Sequence, residues 1–210
     1  MIQNKKQQVY EIIKHRILTE EYPLGYKIHI GELSEQLGVS NSPIREAVNL
    51  LEKEGLVTNP ANSGPSVVEM SEEDWFELAQ TLFFWIVSAY RFVVTVEKDK
   101  EMCEQMENEL EKQKRAYDEG DRYQFTEHAC RFDRCIIEAT GNHRLIKQFD
   151  GMFSLLFLGA VYSQKHEEMD VSIIQHERIL ELMKENKMRD AVDALAAHYY
   201  KPCWAVKEVD

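Results

Sequence analysis

Apolar side chains recur every three or four positions through the first fifty residues, then change period, then return to a helical spacing that runs to the end of the chain. Val9, Ile12, Ile13 and Ile17 predict a helix over about 5–20 with one buried face, closed by Pro23 and Gly25. The stretch from Leu33 to Leu51 reads as two short helices around a tight turn. Gly38 occupies the left-handed position that ends the first, and Ser42 and Pro43 cap and open the second. Ile44, Ala47, Val48 and Leu51 form its buried stripe, so Asn41, Ser42, Arg45 and Asn49 face outward. Leu56-Val57-Thr58 and Ser66-Val67-Val68-Glu69 are β-prone runs flanking the turn-rich 59–65. A helix-turn-helix followed at once by a small hairpin is the winged form, and bare backbone at Gly64 can approach a phosphate.

From Ser71 onward every pattern is helical: about 72–96, 99–119, 122–139, 142–164, 170–186 and 189–207. Ser71 with acidic residues behind it starts the first; Gly120-Asp121 and Gly141-Asn142 are stops, and Asp170 and Asp190 are read as caps. The expected fold class is therefore mainly α, with a winged helix-turn-helix over 1–70 and an all-helical bundle over 71–210. Thr81 to Val96 is the most apolar stretch, but it falls short of the roughly 20 residues that cross a bilayer and contains Arg91, so it reads as a core helix with no membrane role. Phe83, Phe84, Trp85, Tyr90 and Phe92 spread around more than one face of this helix. Covering them takes two surfaces, which predicts a homodimer.

Charge complicates a DNA-binding reading. The net charge is −12; residues 1–70 carry 7 Lys and Arg against 9 Asp and Glu, while 71–210 carry 18 against 28. A positive face must come from arrangement, with Lys5, Lys6, Lys14, Lys27 and Arg45 as candidates, and the acidic bundle should repel a duplex. Cys103, Cys130, Cys135 and Cys203 lack CxxC spacing and are expected as reduced thiols of a cytoplasmic protein. Met1 to Lys6 has no apolar core of a signal peptide.

Two places carry candidate chemistry. On the second short helix, an Arg can take two acceptors of a guanine edge or clamp a phosphate, and an Asn can pair with adenine; an ordinary helical hairpin with solvated polar residues is the alternative. In the bundle, His176 shares a stripe with Ile173, Leu180 and Met183, His198 shares one with Ala191 and Leu195, and Asp133 borders Phe125, Ala129, Phe132 and Ile136. Buried polar groups need partners, and a divalent metal would supply one to all three. They could equally bond one another as core residues, or meet an acidic effector.

Tyr22-Pro23-Leu24-Gly25, Leu37-Gly38-Val39-Ser40, Ser42-Pro43-Ile44-Arg45-Glu46-Ala47-Val48, Glu54-Gly55-Leu56-Val57 and Gly64 fall in an order and spacing that resembles the GntR family of transcriptional regulators. The resemblance implies a DNA-facing set of Lys27, Ser40, Asn41, Ser42, Arg45, Asn49 and Gly64. The second part is similar to the FCD-type effector domains of the FadR subfamily through Phe132-Asp133, Gly141-Asn142, His176-Glu177 and His198. That resemblance implies a Zn²⁺ or Ni²⁺ site, here reduced to Asp133, His176 and His198. A family ligand His is replaced by Asp133 and a family ligand Asp by Ala129. Asn41 and Ser63 stand where relatives often have Arg, which implies weaker and less salt-dependent DNA affinity. Thr81-Leu82-Phe83-Phe84-Trp85 replaces a polar pocket wall, so the implied effector is an organic acid or a more apolar ligand. The expected function is a ligand-responsive regulator acting as a homodimer on a pseudo-palindromic operator. A metal-dependent enzyme on a helical bundle, and a DNA-binding dimer that senses nothing, stay open beside it.

Overall fold

Buried isoleucines organise the first unit. In α1 (Lys5–Leu18) the buried face is Val9, Tyr10, Ile13, Ile17 and Leu18. Ile12 is only partly buried, because the stripe centres on Tyr10, Ile13 and Ile17 and its neighbour in sequence points about 100° away. This computed structural model describes residues 5–61, 63–163 and 169–200, and the chain divides into two compact units, Met1–Met70 and Ser71–Asp210.

The helix-turn-helix is α2 (Ile30–Leu37) and α3 (Asn41–Lys53). Gly38 ends α2 at φ +62° with its N–H bonded to Ser34 O. α3 starts earlier than the sequence suggests: Ser40, not Ser42, is its N-cap, and Pro43 takes the third helical position. The helix loses nothing by this, since N–H groups of a first turn have no intrahelical partner. Ser42 instead turns its hydroxyl to Glu46 Oε1 at 3.3 Å. Nothing lies within 4 Å of a Cβ built on Gly38, so Gly38→Ala should cost only its left-handed backbone, about 1–2 kcal/mol; a urea midpoint unchanged from wild type would show that the turn relaxes.

Strands β1 (Val57–Thr58) and β2 (Ser66–Val67) pair antiparallel, Val57 with Val67 and Thr58 with Ser66. A bridge from Lys27 to Ser66 ties the segment before α2 to this wing. Gly64 is exposed near its tip at φ +70°.

The second unit comprises α4 (Glu72–Thr95), α5 (Asp99–Glu119), α6 (Arg122–Ala139), α7 (His143–Ser163), α8 (Met169–Lys184) and α9 (Met188–Tyr200). Ser71 and Asp74 close a reciprocal capping box on α4. Gly120 ends α5 at φ +69° and Asp121 caps α6 by accepting from Gln124 N at 3.0 Å. Asn142 Oδ1 accepts from Arg144 N and Leu145 N and opens α7. Asp170 and Asp190 sit inside the first turns of α8 and α9 instead of capping them; there their charge still meets the positive end of the helix dipole. The expected extension of the last helix to 207, and Cys203, lie outside the described residues.

Length does not exclude a membrane span as the sequence suggests, because α4 runs for 24 residues and both it and α7 are long and apolar enough to cross a bilayer. What makes α4 a core helix is packing. Leu82, Ile86, Ala89, Tyr90 and Val93 are buried in a cluster shared with α5, α6, α8 and α9. Its other side leaves Phe76, Phe84 and Phe92 exposed at 37, 55 and 50%.

Candidate DNA-reading face and buried ligand site

α3 buries Ile44, Ala47, Val48 and Leu51, and this orientation leaves Ser40, Asn41, Ser42, Arg45 and Asn49 exposed in one polar surface. Arg45 holds no ion pair among the described residues, so its guanidinium is available to an outside acceptor. Lys27 is exposed beside the wing and reaches Ser63 O at 3.4 Å. Two other candidate cations are engaged. Lys14 pairs with Glu54 at 2.9 Å and Lys6 with Glu46 at 3.8 Å, which narrows the positive face that charge counting alone suggested.

The bundle brings Asp133, His176 and His198 together from α6, α8 and α9, with a ligand atom of each within 4.8 Å of the others. Asp133 and His176 are buried at 3 and 1% exposure, and His198 is partly buried. The Tyr199 hydroxyl donates to Asp133 Oδ2 at 2.6 Å; Asp133 Oδ1 has no partner among the described residues. His176 stacks on Phe132 with ring centres 4.2 Å apart. Its Nδ1 meets Gln113 Oε1 at 2.8 Å, and His198 Nδ1 meets Gln175 Oε1 at 2.8 Å. The two Nε2 atoms face each other at 3.4 Å.

Burial sets the charge states. It pushes the Asp133 carboxyl up to about 7 against the opposing Tyr199 hydrogen bond. It takes His198 down to about 4, and it holds His176 well below the ordinary histidine range with His198 adding to the effect. Both imidazoles are therefore neutral, as metal ligation requires. Nearby Cys130 is a buried thiol pushed well above its usual pKa by burial, and supplies no thiolate. A buried carboxylate with one oxygen unpartnered among the described residues, grouped with two imidazoles whose Nε2 atoms face each other, suits a borderline divalent cation such as Zn²⁺ or Ni²⁺. Ala129, on the same helix one turn earlier, adds only a methyl group.

Sequence reasoning missed Gln113 and Gln175. Gln113 left a signal: it continues the stripe Met102, Met106, Leu110 of α5 and is fully buried there. A carboxamide at an apolar position needs a partner. Gln175 left none, because it is simply the polar neighbour of His176.

A winged helix-turn-helix joined in one chain to an all-helical unit with a buried polar cluster defines a transcriptional regulator. The chain belongs to the GntR family of bacterial regulatory proteins: that family's model matches residues 5–67 and the FCD domain model matches residues 93–201. It is 26% identical over 204 residues to the uncharacterized HTH-type transcriptional regulator YdhC of Bacillus subtilis, covering 96% of this chain and 91% of that protein. It is 24% identical over 194 residues to the probable D-xylose utilization operon transcriptional repressor of Paenarthrobacter nicotinovorans, covering 91 and 84%. A crystal structure of a GntR regulator from Rhodococcus sp. RHA1 shares the fold with a TM-score of 0.77 at 15% identity, over 93% of each chain. These families and relatives are regulators, not enzymes, which removes the reading of the bundle as a metal-dependent enzyme.

Proposed function

We propose that this regulator works in the cytoplasm as a homodimer that reads a pseudo-palindromic operator through α3 and the wing, and that its bundle holds a divalent metal and responds to a small-molecule effector. The observation that carries the DNA reading is Arg45, exposed on the polar face of α3 and without an ion pair among the described residues. Asn41 and Asn49 offer amides to base edges; Lys27, Ser40, Ser42 and the bare backbone at Gly64 suit phosphates. One such unit reads too few base pairs to find a site in a genome, and two-fold symmetry doubles the site.

Asp133, His176 and His198 would hold Zn²⁺ or Ni²⁺, which when bound supplies a Lewis-acid centre for an anionic effector group, such as the carboxylate of an organic acid. The protein's part is to hold the donors in place and exclude water around them. An effector shifts the regulator only by its differential affinity for two dimer geometries that space the α3 helices differently.

The exposed phenylalanines of α4 support the dimer. Sedimentation at micromolar concentration should give a dimer for wild type and a monomer for the double variant Phe84→Asp, Phe92→Asp, which touches no buried position. A wild-type monomer, with and without DNA, would contradict the dimer. The function as a whole is tested by selecting DNA from a random library with the full chain. A two-fold symmetric consensus is expected, and recovery of no sequence would defeat the operator reading. If neither metal nor any acid then changes the affinity, the bundle only dimerises.

A further inference from the structure

Gln113 and Gln175 decide what the buried cluster can bind. A carboxamide oxygen only accepts hydrogen bonds, so His176 Nδ1–H donates to Gln113 Oε1 and His198 Nδ1–H donates to Gln175 Oε1, each at 2.8 Å. Each neutral imidazole has one proton. With it on Nδ1, Nε2 carries a lone pair. The two Nε2 atoms then face each other across 3.4 Å as two acceptors; a carboxylate oxygen of Asp133 lies within 4.8 Å of a nitrogen of each histidine, and among the described residues Asp133 Oδ1 has no donor. Two core histidines bonded to each other need a proton on one Nε2, which would remove the donor from one glutamine oxygen.

Gln113 is in turn oriented. Its Nε2 donates to Ser172 Oγ at 3.2 Å, which aims Oε1 at His176. Gln113 and Ser172 are both buried, so neither finds a replacement partner in water. We propose that Gln113 and Gln175 are positioning residues: they lock both histidines in the Nδ1–H tautomer, so that two nitrogen lone pairs and a carboxylate oxygen converge on a divalent cation. This rests on the metal reading above.

The test uses the full chain as wild type, Gln113→Met, Gln113→Glu and Gln175→Met, each titrated with Zn²⁺ against a chelating indicator. Loss of such an outer partner costs about 10–100-fold in metal affinity, and that loss is expected for both Met variants. Gln113→Glu presents only acceptors to Nδ1–H and should bind at least as tightly as wild type, with the Co²⁺ visible absorption bands of wild type. Melting temperatures in chelator separate any cost to folding from the loss of metal, and the partly buried Gln175 keeps the test available if Gln113→Met does not fold. Stoichiometric Zn²⁺ in wild type and equal affinity in the Met variants would overturn the proposal alone. Affinity in Gln113→Glu as weak as in Gln113→Met would overturn the acceptor role. No metal on wild type would overturn the metal reading and this inference with it.

Discussion

With Arg45 replaced by Ala in both copies of the proposed dimer, specific operator binding should weaken by about 2–6 kcal/mol, because a bidentate base contact is worth about 1–3 kcal/mol and a symmetric complex would have two. At about 1.4 kcal/mol per tenfold, the loss is large enough to abolish a shift at ordinary protein concentrations. The guanidinium sits exposed on α3 with no ion pair to break among the described residues, so the effect should fall on DNA and leave folding alone. Arg45→Lys should recover little, since a single ammonium cannot match two acceptors at once. Lys27→Ala provides the contrast: loss of its proposed phosphate contact should weaken all sequences alike and lower the salt slope by about one per site. Anisotropy titrations at fixed salt on the selected sequence measure all three. Undiminished affinity in Arg45→Ala would show that α3 is not the reading helix.

The second large effect is on stability. At free Zn²⁺ about one hundred times its dissociation constant, bound metal adds roughly 2.7 kcal/mol, and chelator should remove that increment. His198→Ala should remove it as well. His176→Ala should lose stability for a second reason as well. That ring is buried, stacks on Phe132 and holds Gln113, so its loss costs packing and orphans a buried amide. His198, partly buried, is the cleaner probe.

The pH dependence has a definite sign. Asp133 titrates at about 7 in the fold against an ordinary 3.8, so its contribution favours the fold at low pH and is lost as pH rises through 7. The histidines are lowered, so their contribution is present above about 6.5 and is lost as pH falls toward the folded value, about 4 for His198. Two histidines outweigh one carboxyl below 6.5. For these three groups the metal-free optimum therefore lies near neutrality. Metal needs the carboxylate ionised and the imidazoles neutral. The stabilisation by Zn²⁺, measured as the difference between melts with metal and with chelator, should grow from pH 6 to pH 8. An increment that is absent, or flat with pH, would rule out this cluster as the metal site.

Local chemistry carried much of the architecture. Gly38 at a left-handed helix end, Ser71 three residues before Asp74, and Asn142 before a helical run each satisfy backbone groups within a few residues, so short windows of sequence suffice to read them. The inward direction of His176 and His198 was legible for a similar reason, because a side chain that shares a stripe with Leu180 or Leu195 must share its burial. The sequence places the cap of α3 at Ser42, whereas the helix begins after Ser40, whose side chain makes no capping bond.

The sequence by itself determined which segments are helical, which face of each is apolar and that a winged helix-turn-helix precedes a bundle. These follow from periodicity and from backbone hydrogen bonds made within one element. Only the tertiary structure decided that Lys14 is held by Glu54, that Asp133 keeps one oxygen unpartnered among the described residues, and that Gln113 and Gln175 bring their carboxamide oxygens to 2.8 Å from Nδ1 of two histidines. Each depends on the distance between side chains from different helices. A hydrogen bond between residues 63 positions apart, as for Gln113 and His176, leaves no period in the chain, and exists only once packing has brought its two ends within about 3 Å.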